Sequence, residues 1–339
     1  MHIDLFDFDL PKELIAQTAL KKRDESRLMV VNSDTQSLSH HQFKSIGNFL
    51  DSNCVLVLNN SKVFNARLIG EKHTKAQIEI FLTEHLNEAS WKCLIKPLKR
   101  VSEGDVLTFS TKLRGTIIKK DTFSTISFEF TEDFFDIIDE IGFPPLPPYI
   151  KVSDPKEFEA SYQTTYAKHR GSIAAPTAGL HFSESLLGQL KSIGVCIEMI
   201  TLHVGYGTFQ PVRVSSINEH KLHEERFYID SETAKRLSNY KKKGKKIISV
   251  GTTTTRTLES AFQPDGSILE GSHSSDLFIY PGYNFNFIDA MITNFHLPKS
   301  SLFMLVCALG GLNTLQDAYA EAIKQNYRFY SFGDAMLIL

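Results

Sequence analysis

Between residues 63 and 145 the chain offers almost nothing but short strands, inside a sequence that otherwise alternates strand with helix. "ARLIG", "QIEIFLTE", "WKCLIKPL", "DVLTF", "LRGTIIKK" and "TFSTISFEF" are rich in β-branched and aromatic residues. Turn formers such as Glu103-Gly104-Asp105 separate them. Strands in series without intervening helices predict a small sandwich or barrel. Upstream, "QFKSIGNFLDSNCVLVL" (42–58) reads as a short helix and a buried strand. Beyond the proline-rich "FPPLPPYI" (143–150) the alternation returns. Ser183 can cap a helix whose Leu186, Leu187, Leu190 and Ile193 recur at helical spacing, and Gly194 can end it. "VCIEMITLHV", "KKIISV", "FIDAMIT" and "DAMLIL" read as strands; "TTTTRTLESAF", "SSLFMLVCALGG" and "TLQDAYAEAIKQNY" read as helices. The expectation is a discontinuous α/β domain, 1–62 and 146–339, interrupted by an all-β domain at 63–145.

The 339 residues, 42% hydrophobic and 22% charged, supply ample core for this plan. A formal net charge of −2 gives no global attraction to nucleic acid, so an RNA partner would need local basic patches. Lys96, Lys99 and Arg100 in "KPLKR" form one, and Lys21, Lys22, Arg23 and Arg27 in "KKRDESR" another; solvated surface is the alternative reading of both. Cys54, Cys93, Cys196 and Cys307 are far apart, which suits free thiols in a reducing compartment. The first residues carry Asp4, Asp7 and Asp9 and do not read as a signal peptide; no apolar run is long enough for a membrane span. A cytoplasmic protein is expected.

Ligands of α/β folds sit outside the carboxyl ends of strands, on loops that lead into helices. Four such loops are polar or glycine-rich: "GSIAAPTAGLHFSES" (171–185), "HVGYGTFQPVR" (203–213), "GTTTTRT" (251–257) and "NFHLPKS" (294–300). Gly205 and Gly207 read equally as a fragment of a phosphate loop or a structural turn. "GTTTTRT" can hold an anion at a helix N-terminus or simply start the helix. His220 and His223 have a spacing that can hold a metal, but no third ligand stands at a diagnostic distance, so no metal site is assigned. His181, His203 and His296 each follow an apolar residue on one of these loops, and a shared rim would make them a site.

Together these stretches resemble one family along most of the chain, the S-adenosylmethionine:tRNA ribosyltransferase-isomerases of queuosine biosynthesis. The resemblance is carried by "FDFDLPKELIAQ", "RDESRLMV", "LNNSKVFNARL", "PLPPYI", "YQTTYAKHRGSIAAPTAGLHF", "TLHVGYGTFQPVR", "GTTTTRTLES", "FIYPGYNF", "TNFHLPKSSLFMLV" and "YRFYSFGDAM". Three positions depart from the family pattern. Tyr206 stands where a small residue is expected, Asn60 where an acidic one is, and Arg226 where an aromatic one is.

The resemblance implies an α/β barrel-like domain with an inserted β-barrel domain. It implies transfer and isomerisation of the ribosyl part of S-adenosylmethionine onto 7-aminomethyl-7-deazaguanine at the tRNA wobble position. The products are epoxyqueuosine-tRNA, adenine and methionine. S-adenosylmethionine is then a co-substrate, no catalytic cofactor or metal is called for, and a monomer is expected. Such chemistry needs a base for the ribose methylene beside the sulfonium, an acid or hydrogen bond for departing adenine, and a neutral acceptor amine. The candidates are His181, His203, His296 and Asp334 for proton transfer. Thr252, Thr253 and Arg256 are candidates for the methionine carboxylate or an RNA phosphate, Thr177 and Thr208 for the ribose. Gly205 and Gly207 allow close approach, Asn294 and Lys299 are further contacts, and Arg328 is a phosphate contact. Lys96, Lys99 and Arg100 are expected to touch tRNA. Two other classes compete: a sugar-phosphate enzyme built on "GTTTTRT", and a non-catalytic RNA-binding module using the β domain.

Overall fold

The computed structural model describes residues 1–205, 207, 217–220 and 222–339, with Asn218 as backbone only. Its strands and helices, in chain order, begin with β1 (Arg27–Asn32), β2 (Ser37–Gln42) and β3 (Cys54–Asn59), then the short β4 (Ser61–Val63). Six strands follow in series: β5 (Arg67–Glu71), β6 (Gln77–His85), β7 (Ser90–Lys96), β8 (Val106–Thr108), β9 (Leu113–Lys119) and β10 (Ser124–Phe130). They close into a barrel in the order β10-β7-β6-β5-β8-β9. Alternation along the strands sends Leu68, Ile78, Ile80, Leu82, Cys93 and Ile126 inward.

The β segment also holds a helix that the strand pattern does not announce, α1 (Phe134–Ile141). Asp133 caps it by accepting from the Asp136 N–H at 3.0 Å. Phe134, Ile137 and Ile138 then lie on one face and pack with the barrel core. The chain returns through β11 (His169–Ser172), which pairs in parallel with β4 and so ties together the outgoing and returning crossings.

The remaining elements are α2 (Glu184–Ser192), β12 (Cys196–Leu202), β13 (Glu225–Ile229), α3 (Ser231–Lys242), β14 (Lys246–Val250), α4 (Thr252–Ala261) and β15 (Gly271–Ser275). The last four are β16 (Ala290–Asn294), α5 (Ser301–Gly310), α6 (Leu312–Lys324) and β17 (Ala335–Ile338). Nine strands form one mixed sheet in the order β15-β13-β12-β3-β14-β16-β17-β1-β2. The α/β barrel-like expectation is met only in part. Parallel pairings join β12, β3, β14 and β16, as in such barrels, but β15 and β2 stand at the two ends of an open order.

Every residue of β3 is buried because the sheet is covered on both faces. Val55 and Val57 face a core shared with Leu258 of α4 and Phe303 of α5. Leu56 and Leu58 face the opposite core, with Phe43, Phe182, Leu186 and Leu190. The N–H of Leu186 donates to Ser183 Oγ at 3.1 Å, the expected cap of α2. All four cysteines are free thiols, and no helix among the described residues is long and apolar enough to cross a membrane.

Candidate active site

The parallel strands β14 and β16 run out side by side into "GTT" and "FHL". Gly251 takes a φ of +90° between β14 and α4, which turns the chain into the helix without a Cβ to clash. Its helix has no side-chain cap, and the first turn opens on a cavity of 260 Å³. The polar wall includes Thr177, Thr252, Thr253, Thr293, Asn294, His296 and Ser331; Tyr149, Tyr162, Phe295 and Tyr330 supply aromatic surface.

His296 is held at two points. Its Nε2 lies 2.8 Å from Thr293 Oγ1, and its backbone N–H donates to Tyr319 Oη at 2.9 Å. Burial pushes its pKa down to about 3, so the imidazole is neutral at ordinary pH.

The three histidines do not share one rim. His203 faces a separate cavity of 680 Å³ between the barrel and the sheet, with Trp91, His85, Gly205 and Gly207 on its walls. Burial, then the neighbouring His169, lowers its pKa. Val204 lines both this cavity and the one holding His296. His181 faces a third cavity, of 440 Å³, beside Arg23 and Phe332. It is 4% exposed, with Nδ1 2.7 Å from Ser26 Oγ and Nε2 3.0 Å from Asn294 Nδ2. Burial first, then Arg328 and Arg23, holds its pKa at about 3. Both nitrogens are engaged, so His181 supports the site from behind. Three loops converge, but only His296 lines the cavity at the strand ends, while His203 and His181 face cavities on other sides.

Four other expected contacts are used elsewhere. Asp334, 2% exposed, accepts from the backbone N–H groups of Arg27 and Arg328, both at 2.8 Å. It clamps the start of β1 to the segment before β17 and does not line the His296 cavity. Burial raises its pKa against the lowering effect of those two N–H groups. Arg256 is buried in an ion pair with Glu225, whose Oε1 also accepts from the Gly205 N–H at 3.1 Å. Its charge is neutralised inside the fold and does not reach the His296 cavity. Lys299 pairs with Asp4 and Asp7, each at 2.9 Å, which raises its pKa and ties the N-terminal segment to the loop. Arg328 donates to the carbonyl of Thr18. All four face protein partners: backbone N–H groups take Asp334, and carboxylates or a carbonyl take the three cations.

Thr208 and the unusual Tyr206 lie outside the described residues. Asn60 accepts from Thr201 Oγ1 at 2.7 Å, an internal bond, and Arg226 lies 3.4 Å from Glu84. Lys96, Lys99 and Arg100 are exposed, without an ion pair among the described residues. Lys96 lines a groove with Arg67 and Lys151 along the proline-rich crossing, and Pro148 lines both this groove and the His296 cavity. Arg23 and Arg27, by contrast, donate to the carbonyls of Gln163, Ala160 and Gln325. Among the described residues no three potential ligands gather as a metal cluster, and His220 packs edge-on to Phe278.

Two participants were legible but not singled out. Thr293 stands three residues before His296 at a strand end, and Ser26 lies in "RDESR". Tyr149, whose hydroxyl is 2.5 Å from Ser331 Oγ, comes from a distant crossing and carries no local signal.

The fold and the site define an α/β enzyme with an inserted β-barrel, its cavity set at the carboxyl ends of parallel strands. The queuosine biosynthesis protein family model matches residues 3–338, and the chain belongs to that family. It is 46% identical to the S-adenosylmethionine:tRNA ribosyltransferase-isomerase of Desulforamulus reducens over 343 residues, covering all of both chains. The crystal structure of the S-adenosylmethionine tRNA ribosyltransferase of Thermotoga maritima matches with a TM-score of 0.56 at 37% identity. That match covers 99% of this chain and 100% of the other.

Proposed function

We propose that the chain is an S-adenosylmethionine:tRNA ribosyltransferase-isomerase. It moves the ribosyl group of S-adenosylmethionine onto 7-aminomethyl-7-deazaguanine at the wobble position. The group isomerises to an epoxycyclopentanediol, and adenine and methionine leave. The observation that carries the reading is the neutral His296, fixed by Thr293 inside a cavity at the uncapped start of α4, in a chain of this family.

The cavity suits the donor's chemistry. The first-turn N–H groups of α4, which have no side-chain cap among the described residues, form with Thr252 and Thr253 a site for the methionine carboxylate. Tyr149, Tyr162, Phe295 and Tyr330 offer faces for adenine, and Thr177 can meet a ribose hydroxyl. His296 accepts the proton from the methylene that the sulfonium acidifies. Water exclusion by the aromatic walls keeps that base neutral. His203, across Val204, faces the side from which the acceptor base enters after leaving the anticodon stack. The groove with Lys96, and the exposed Lys99 and Arg100, receives the anticodon arm electrostatically.

A sugar-phosphate enzyme would leave the barrel and its basic residues without a role; an RNA-binding module would leave the neutral, anchored His296 without one. The test is to incubate protein, S-adenosylmethionine and tRNA carrying the deazaguanine precursor, and measure released adenine. Release only with the modified tRNA is expected. No release under any condition overturns the reading.

A further inference from the structure

A chain of hydrogen bonds runs from the backbone of residue 23 to the cavity wall, and with the amide nitrogen of Asn294 toward His181 its donors and acceptors match in one direction. Ser26 Oγ donates to the carbonyl of Arg23 at 3.3 Å, so its oxygen is left to accept from His181 Nδ1 at 2.7 Å. With the proton on Nδ1, Nε2 is a lone pair and requires a donor. Asn294 Nδ2 supplies it at 3.0 Å. The amide of Asn294 is thereby oriented, with Oδ1 as its remaining acceptor. Asn294 is 2% exposed and lines the His296 cavity, and Oδ1 is buried with no hydrogen-bond partner among the described residues. A buried carbonyl oxygen in that state costs free energy unless a ligand donates to it.

We infer that Asn294 Oδ1 is a specificity contact that accepts a hydrogen bond from a neutral N–H or O–H group of the donor substrate, and that His181 is the positioning residue that keeps this oxygen pointed at it. The candidate groups on S-adenosylmethionine are the adenine amine and the ribose hydroxyls. The inference rests on the proposed function, which names the ligand. It gives a reason for a histidine at position 181 that moves no proton. A protonated imidazole would carry N–H on both nitrogens and would demand Oδ1 for itself, turning the amide around. The low basicity that burial, Arg328 and Arg23 impose on His181 keeps that from happening.

The test compares binding of S-adenosylmethionine with binding of its 6-deamino, 2′-deoxy and 3′-deoxy analogues, by titration calorimetry on the full chain. On the wild-type protein one analogue should bind about tenfold or more weakly, since a site built to accept a hydrogen bond rejects a ligand lacking the donor. Which analogue is rejected identifies the group. Equal binding of all three analogues overturns the inference, and this arm needs no variant. Asn294→Leu should weaken S-adenosylmethionine by a similar factor and leave the rejected analogue unchanged. His181→Gln, whose Oε1 can take the Asn294 N–H, should keep the preference; His181→Leu should reduce it. A preference unchanged in His181→Leu overturns the positioning role. Adenine release by wild type with modified tRNA is measured alongside. If release fails, the proposed function fails; if release occurs and the analogues bind alike, only this inference does.

Discussion

Thr293 Oγ1 and His296 Nε2 stand 2.8 Å apart across the turn that leaves β16, and this bond sets the orientation of the imidazole in the cavity. Replacing His296 by Ala should lower adenine release by about a hundredfold or more, the usual scale for a lost proton-transfer group. Thr293→Val removes only the orienting bond and should cost about tenfold or less, chiefly in kcat. Near-normal turnover of His296→Ala would remove His296 from the chemistry.

The Arg256–Glu225 pair is enclosed by protein, each partner being at most 7% exposed. Removing the guanidinium takes this ion pair from the buried Glu225, so Arg256→Met should lower unfolding free energy, by up to about 3–5 kcal/mol. Urea denaturation checks it. A change under about 1 kcal/mol would mean that Glu225 finds another partner or protonates cheaply.

His181 and His296 both have pKa values lowered from 6.5 to about 3, by burial above all. The unfolded chain takes up these protons as pH falls below 6.5, and the native state does not until about 3. Their neutrality therefore stabilises the fold fully above pH 6.5, and the contribution is lost as pH drops toward 3. The slope is up to ~1.4 kcal/mol per pH unit for each histidine. Asp334, raised by burial, opposes this only in the carboxylate range. Unfolding free energies at pH 7 and about pH 5, compared with those of His181→Gln and His296→Gln, read this contribution apart from that of His203 and His220, which are lowered too. Equal values at the two pH values would contradict the assignment.

Gly171, at φ +142°, lies against the His203 ring so closely that a Cβ would come to 2.8 Å from Cε1. Gly171→Ala must displace the imidazole or the strand. It should cost about 1–3 kcal/mol of stability and raise the KM for tRNA more than that for S-adenosylmethionine. Steady-state kinetics with each substrate varied in turn distinguishes the two effects.

Lys96, Lys99 and Arg100 are exposed on the barrel, and Lys96 lines the groove that shares Pro148 with the His296 cavity. Changing all three to Ser should weaken tRNA binding and reduce the slope of log K against log salt by up to about 2–3. Binding of S-adenosylmethionine alone should not change. An unaltered salt slope would move the RNA contact elsewhere.

The sequence by itself determined where the architecture changes. Short alternating strands require a barrel or sandwich, and longer apolar periodicities after "FPPLPPYI" require helices on a sheet. It also located the loops at the strand ends, because glycine, threonine and histidine interrupt the apolar runs there. Helix α1 was within reach: Asp133, Phe134, Ile137 and Ile138 are a cap and a helical stripe, hidden among strand-like neighbours. Tertiary structure decided which side chains remain free to act. Periodicity gives the face on which a residue lies, but not which distant group meets its charge. Asp334 is taken by two N–H groups, Arg256 by Glu225 and Lys299 by Asp4 and Asp7, all partners from other segments. His181 and His296 look alike in sequence, yet one is bonded at both nitrogens behind the wall and the other stands in the cavity. That difference is made by Ser26 and Asn294, 155 and 113 residues away from His181, whose meeting only the folded sheet brings about.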